Sequence, residues 1–412
     1  MSKETDDSTQ AYNYCALPLA AYACRPDNSR GRIHDEPESR HRTAFQRDRD
    51  RIIHSSAFRR LRDKTQVFVA HEGDHYRTRL SHTLEVAQIA RTLARGLMVN
   101  EDLAEAVALA HDLGHTPFAH MGEDILKVCM EKLGGFAHND QSLRILTTLE
   151  EKYPQWVGLN LTWETLEGVA KHNGPVLEPK EKVSRKNLPI ALFELSRQMD
   201  MELHNYASIE AQVAAISDDI AYNNHDVEDG LGAGMFTFEQ IVEEVALLEK
   251  AHKQVIKTYG EEIERKYIVS ETIRAVMGDM VDDVLTETKK RLKKINPQSP
   301  EDVAKAGMQI VSFSTKMEEQ VNQLRKFLFK HMYHHYTVLR IKESVDRIIP
   351  DMFNAFQRTY RLLPPKWQQR VEQAGGVDNE MARARIVCDY IAGMTDRFAF
   401  QEHKKLTDLT LG

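Results

Sequence analysis

Cysteine is scarce and badly spaced for any shared purpose. There are four in 412 residues, at 15, 24, 129 and 388, and no CxxC. That excludes a zinc ribbon and gives no disulfide framework, so a reducing, cytoplasmic setting is expected. No uninterrupted apolar run is long enough to span a bilayer, and no membrane partner is expected. The one short apolar stretch near the start, Tyr14 to Cys24, contains Pro18 and follows Glu4, Asp6 and Asp7. Acidic residues are the wrong flank for a secretory leader. Internal repeats, low-complexity tracts and sustained strand alternation are also missing, which removes solenoids and β-sandwiches.

What remains is a polar, charge-rich chain with helical patterning. Hydrophobic residues make up 42% and charged residues 28%, within the range of globular proteins. The net charge of −7 hides a local excess of six positive charges from Ser39 to Lys64, nine Lys/Arg against three Asp. Such a run is a solvated helix face, an oligomer contact, or a patch that attracts an anion. It leaves weak binding of single-stranded nucleic acid open as a secondary property.

The chain is organised around VALAHDLGHTPFAH, residues 107–120. Val107, Ala110 and Leu113 recur at spacings of three, predicting a helix buried on that side. Gly114 is expected as its C-cap, and Thr116-Pro117 as N-cap and first position of the next helix, over about 117–133. His111, Asp112, His115 and His120 then cluster at a corner between two packed helices. Three imidazoles and a carboxylate within ten positions point to a metal or phosphate site rather than to buried structural histidines.

Elsewhere the spacing predicts a helix over about 81–97, with His82 in its first turn and Leu84, Ala87, Ile89, Ala90 and Leu93 inward. KTQVFVAHEGDHYRTR (64–79) reads as a loop or short hairpin. Helices are expected near 163–171 and over 208–223, the latter carrying Asp218 and Asp219. Thr237 and Gln240 have capping-box spacing, and Ser299-Pro300 opens another helix. Lys316 to Tyr360 predicts one long helix, kinked if anywhere at Pro350, and a final helix lies around 380–403. The fold class is mainly α. Metal binding on such a scaffold needs ligands from separate helices, and His82, His111, Asp112 and an Asp of the 208–223 helix are the candidates. Two imidazoles and two carboxylates leave open positions for water and phosphate oxygens.

RLSH (79–82), HDLGHTPFAH (111–120) and DDIAYNNHD (218–226) resemble the HD-domain metal-dependent phosphohydrolases. RDRDRIIHSSAFRRLRDKTQVF (47–68), GDHYRTRLSHTLEVAQIAR (73–91) and DYIAGMTDR (389–397) are similar, more closely, to the bacterial deoxyguanosine triphosphate triphosphohydrolase-like proteins. The resemblance implies an arm over 1–38, an HD core over 39–235, and a helical C-terminal extension over 236–412 packed on that core. It implies hydrolysis of dGTP or another deoxynucleoside triphosphate to deoxynucleoside and inorganic triphosphate.

By the same resemblance His82, His111, Asp112 and Asp218 are metal ligands. The family pattern places the ligand four residues before the tyrosine, here Tyr222, which implies Asp218 rather than Asp219. The metal would be Mn²⁺ or Mg²⁺, with Fe²⁺, Co²⁺ and Zn²⁺ open. His120 and Glu123 would form the catalytic pair, and His115, His138 and Arg79 would meet the phosphates, with the arginines of FRRLRDK also candidates there. Gln66 and Asp226 would hold the 3′-hydroxyl, and Tyr222 would pack where a ribose 2′-hydroxyl would sit. A homo-oligomer, such as a hexamer, is expected. The rival readings are another phosphodiesterase or nucleotidase on the same scaffold, and a non-catalytic sensor of nucleotide or single-stranded nucleic acid.

Overall fold

A computed structural model describes residues 18–66 and 77–408. Eighteen α-helices and a few short helical turns account for the regular structure there, with three isolated β-bridges and no strand among the described residues. The expected loop or hairpin around Val67, Phe68, Val69 and Gly73 lies outside the described residues, although Thr65 and Thr78 flanking it pair as a bridge. None of the described helices is long and apolar enough to cross a membrane.

The centre is α4 (Glu101–Ala110), enclosed by α1 (Ala44–Ile53), α3 (Arg79–Leu97), α7 (Trp163–Lys171) and α9 (Ile209–Gly232). Sequence periodicity predicted one buried face on α4. Instead seven of its ten residues are buried, because alanines at 104, 106, 108 and 110 let neighbours close in on several sides. Gly168 extends this close packing: a Cβ there would stand 2.6 Å from Val107 Cγ2 and 3.2 Å from the Ala211 methyl. Short polar side chains set where these helices begin, by accepting from backbone N–H groups of the first turn. Thr78 caps α3, Asn100 caps α4, Thr162 caps α7 and Ser208 caps α9. Leu84 departs from expectation, being 52% exposed; with Gln88, Arg91 and Arg95 it follows the outer face of α3.

The corner after α4 is built differently from its sequence reading. α5 runs Ala119–Met130, and its N-cap is Phe118, with φ of +65°. Thr116 does not cap it, and its hydroxyl donates to the Ala119 carbonyl. Gly114 is not a left-handed C-cap. It is there for space: a Cβ would fall 2.0 Å from the His138 carbonyl oxygen and 2.3 Å from Ser142 N, both in α6 (His138–Arg144).

After α8 (Ile190–Ser196) and α9 come α10 (Phe238–Glu244), α11 (Ala246–Tyr259), α12 (Arg265–Ile295), α13 (Pro300–Ala304) and α14 (Thr315–Leu328). The Thr237/Gln240 capping box and the Ser299 cap are both present. The helix expected over 316–360 is two: a wide turn at Phe329–Tyr333 separates α14 from α15 (Tyr336–Arg358). Pro350 sits inside α15 without ending it. The last expected helix is also two, α17 (Glu380–Ala392) and α18 (Asp396–Thr407), because Thr395 starts a new helix by accepting from Phe398 N. These two join α5, α15 and α16 (Pro365–Gln373) in a second apolar cluster around Phe118, Ile349, Phe353 and Ile391.

Residues 18–38 run over the first core as irregular chain with one helical turn at Pro26–Asn28. Much of the basic run is neutralised there. Arg47 and Arg51 both bind Glu36, Arg49 binds Asp102, and Asp48 binds Arg32.

Candidate active site

Three helices meet at the open end of α4. His82 stands in the first turn of α3, His111 is the C-cap of α4, and Asp218 lies midway along α9. His82 Nε2 is 2.8 Å and His111 Nε2 3.5 Å from Asp218 Oδ1. One potential ligand atom from each of the three lies within 4.8 Å of the others. Asp112 Oδ1 is 3.3 Å from His111 Nε2, while its Oδ2 receives Arg79 Nη1 at 2.9 Å. Arg79, expected among the phosphate contacts, is 1% exposed; its Nη1 is engaged with Asp112, while Nε and Nη2 have no hydrogen-bond partner. Asp219 turns away, to Arg325 of α14 at 2.7 Å.

The imidazoles are held with their Nε2 atoms inward. His111 Nδ1 donates to the Ala108 carbonyl at 2.6 Å, which turns Nε2, buried and without a hydrogen-bond partner, toward the corner. Behind His82 is a chain that the sequence reading did not pick out. Glu85 Oε2 lies 2.6 Å from His225 Nε2, and His225 Nδ1 lies 3.1 Å from His82 Nδ1. Burial and neighbouring charge keep His225 below the usual imidazole pKa, so it is neutral. Its Nε2–H donates to Glu85 and its Nδ1 accepts from His82. His82 Nε2 then faces the Asp218 carboxylate, where a cation could bridge the two. Burial alone would lower the pKa of His111, yet Asp112 and Asp218 push it up to about 9. A divalent ion would replace that proton. The donor set, the orphaned Nε2 and the outer hydrogen bonds all fit such an ion. Asp218 is 42% exposed, so the corner is reachable.

A second group stands beside it. The rings of His115 and His138 stack at 4.1 Å, and Glu123 on α5 receives His138 Nδ1 at 2.8 Å. His120 Nδ1 is 3.7 Å from the same Glu123 oxygen, and Lys127 approaches the other at 3.1 Å. Burial opposes charge on Glu123, but the imidazoles of His120 and His138 hold it well below the usual carboxylate range. Burial and the Arg79 guanidinium keep His115 well below its usual value. His115 Nε2 meets Asp112 at 3.1 Å, and its Nδ1 is buried without a partner. His120 is 60% exposed. The left-handed turn at Phe118 that aims it is pinned by Asp396, which accepts from Phe118 N at 2.9 Å and from Thr65 N at 2.9 Å. Lys64, the residue before, donates to the His115 and Ala392 carbonyls.

Along α9, Tyr222 follows Asp218 by one turn and its hydroxyl pairs with that of Tyr333. Tyr333 donates to Asp226. Burial, with some help from Asp229 and Asp218, pushes the Asp226 carboxyl up to about 8. Asp226 Oδ1 and Gln66 Oε1 are buried oxygens with no partner, the condition of atoms that a ligand hydroxyl could meet. Tyr333 was missed in the sequence because it lies in the break between α14 and α15 that was not expected. His172, the C-cap of α7, was missed as well; it sits where α7 meets α4, α6 and α9, and burial and the charge of His111 lower its pKa to about 4.

Comparison with known proteins agrees with this geometry. The HD domain family matches residues 79–223, which contain His82, His111, Asp112 and Asp218, and the phosphohydrolase-associated domain matches 311–405. A deoxyguanosinetriphosphate triphosphohydrolase-like protein of Parvibaculum lavamentivorans is 51% identical over 390 residues, covering 95% of this chain and 96% of its own. A namesake from Cereibacter sphaeroides is 51% identical over 390 residues, with 94% and 99% covered. Another from Caulobacter vibrioides is 50% identical over 393 residues, with 95% and 97% covered. Helices, site and relatives together place the chain among the deoxyguanosinetriphosphate triphosphohydrolase-like proteins, hydrolases of the HD-domain phosphohydrolase class.

Proposed function

We propose that this protein hydrolyses deoxynucleoside triphosphates, dGTP or others, to deoxynucleoside and inorganic triphosphate. His82, His111, Asp112 and Asp218 would hold Mn²⁺ or Mg²⁺. The observation that carries the reading is the convergence of the His82 and His111 Nε2 atoms with Asp218, directly beside the His115–Glu123–His138 group. A divalent cation there would supply Lewis-acid polarisation of the phosphoryl oxygens.

The remaining work belongs to side chains. His115 and His138, stacked at a fixed separation beside the corner, would lie against the phosphate groups. Glu123, kept ionised, orients His120, which delivers a proton to the departing sugar oxygen. Gln66 Oε1 would accept from the 3′-hydroxyl, and the Asp226 carboxyl, which burial keeps protonated, would donate to the same oxygen through its unpartnered Oδ1. Tyr222, fixed by Tyr333, packs against C2′.

Incubating the protein with each of the four dNTPs and Mn²⁺, with chromatography of the products, tests this directly. Inorganic triphosphate is the expected product. Pyrophosphate or orthophosphate would favour the phosphodiesterase or nucleotidase reading, and no turnover with retained nucleotide binding would favour the sensor.

A further inference from the structure

Away from this corner, a cavity of about 460 Å³ opens between α2 (Ser56–Arg60), α6 and the helices α16 to α18. It holds two buried polar atoms without hydrogen-bond partners, one of each sign. Arg60 Nε is a cationic donor with nothing to donate to. The Glu150 carboxylate that acts on Arg60 electrostatically is already taken by Ser56 N, Ser56 Oγ and Ala57 N at the start of α2. Gln141, 2% exposed, is the second. Its amide nitrogen donates to Asp389 Oδ1 at 3.2 Å, which fixes the flip and leaves Oε1 as an unanswered acceptor.

The walls are aromatic. Trp367 and Tyr390 lie with ring centroids 5.4 Å apart, and Phe398 also lines the space. Arg370 stacks over Trp367 at 4.8 Å, and Lys366 joins it at the rim, both also bound to Glu151. Asp389 does not add a free negative charge, because Arg144 holds it at 2.8 Å.

We propose that this cavity binds a planar heteroaromatic acid. The acidic group, carboxylate or phosphate, would pair with Arg60, a ring N–H or amino donor would answer Gln141 Oε1, and the ring would lie against Trp367 and Tyr390. A buried guanidinium N–H and a buried acceptor are costly to leave unpaired, which is what gives a ligand with both groups its advantage. The volume falls within the range of small-molecule sites. Arg60 leads into Lys64 and Gln66, and Gln141 shares α6 with His138, so an occupant grips two elements that build the catalytic corner.

The test needs no turnover and therefore stands apart from the proposed hydrolysis. Orotate represents the ring carboxylates and AMP the ring phosphates. Each is titrated into the full-length protein by calorimetry and tryptophan fluorescence, with cyclohexanecarboxylate as a non-planar acid. Saturable binding of at least one planar acid is expected, at least tenfold tighter than cyclohexanecarboxylate. Arg60→Gln and Gln141→Leu should each weaken it at least tenfold at unchanged melting temperature, whereas Arg358→Gln, on an exposed part of α15, should not. Which of the two probes binds identifies the acidic group. Absence of saturable binding by both at millimolar concentration overturns the proposal in the unmutated protein alone, as does a loss below tenfold in either folded variant.

Discussion

At the scale of single residues, the candidate metal corner depends on side chains that never touch the ion. Glu85 and His225 dictate which nitrogen of His82 carries the proton. Breaking that chain should weaken metal binding by roughly 10–100-fold, the usual cost of losing an outer partner of a ligand. His225→Phe is expected to show this in a Mn²⁺ titration with circular dichroism unchanged, and Glu85→Gln should fall between it and the unmutated protein. Equal affinities in all three would mean that His82 orients itself. Tyr222 bears on the substrate. A ribonucleotide would press its 2′-hydroxyl against a ring fixed by Tyr333, losing water without gaining a partner, at about 1–3 kcal/mol. At least a tenfold preference for dGTP over GTP is therefore expected in kcat/KM. Tyr222→Ala should narrow the gap chiefly by admitting GTP; equal turnover of both nucleotides by the unmutated enzyme would end the sugar assignment.

At the scale of elements, the corner is a meeting of backbones. The last turn of α4 lies so close to α6 that Gly114 N donates to Ser142 Oγ at 2.9 Å, and no Cβ fits at 114. Gly114→Ala should force α6 outward and cost about 1–3 kcal/mol, the range for overpacked interiors. Urea midpoints would report it. Because His138 opens α6, turnover should fall by more than the loss of folded protein explains. A variant as stable and active as the parent would show that the contact relaxes freely. The two long helices that proved to be pairs carry the same lesson. Thr395 restarts α18 and puts Asp396 where it can hold Phe118 N, and the turn at 329–333 brings Tyr333 to Asp226.

For the whole molecule, Glu210 ties three parts together. Its carboxyl accepts from Cys24 N at 2.8 Å in the N-terminal segment and from Asn100 N at 3.1 Å before α4, while sitting in the first turn of α9. Burial raises its pKa from 4.5 to about 7. The folded protein thus keeps a proton that the unfolded chain releases. This contribution to stability is complete below about pH 4.5 and is lost as the pH rises to about 7, at no more than about 1.4 kcal/mol per pH unit. Glu210→Gln keeps an accepting oxygen and removes the titration. Denaturation curves from pH 4.5 to 7 should therefore flatten in the variant, and an identical slope would show that the proton is not retained on folding.

Local signals were enough for much of this protein. The helical class follows from apolar spacing, and Thr237, Ser299 and the 163–171 segment mark helix starts through side chains that reach only three residues ahead. His82, His111, Asp112 and an Asp of the 208–223 helix stood out because helix ends and apolar faces limit where such side chains point, the family resemblance pointed to Asp218, and the structure brings these residues to one corner. Other features depend on distance in sequence. Gly114 was read as a turn residue because its reason is α6, which begins 24 positions later. Arg79 stood among the phosphate contacts, yet only the packing of α3 on α4 shows it bound to Asp112. The His225–Glu85 chain, the Tyr333–Asp226 bond and the neutralisation of Arg47, Arg49 and Arg51 likewise join residues from separate segments. Periodicity and capping report how a segment folds on itself. Which buried polar group finds which partner is settled only when helices pack, because that choice minimises unpaired charge over the whole assembled interior.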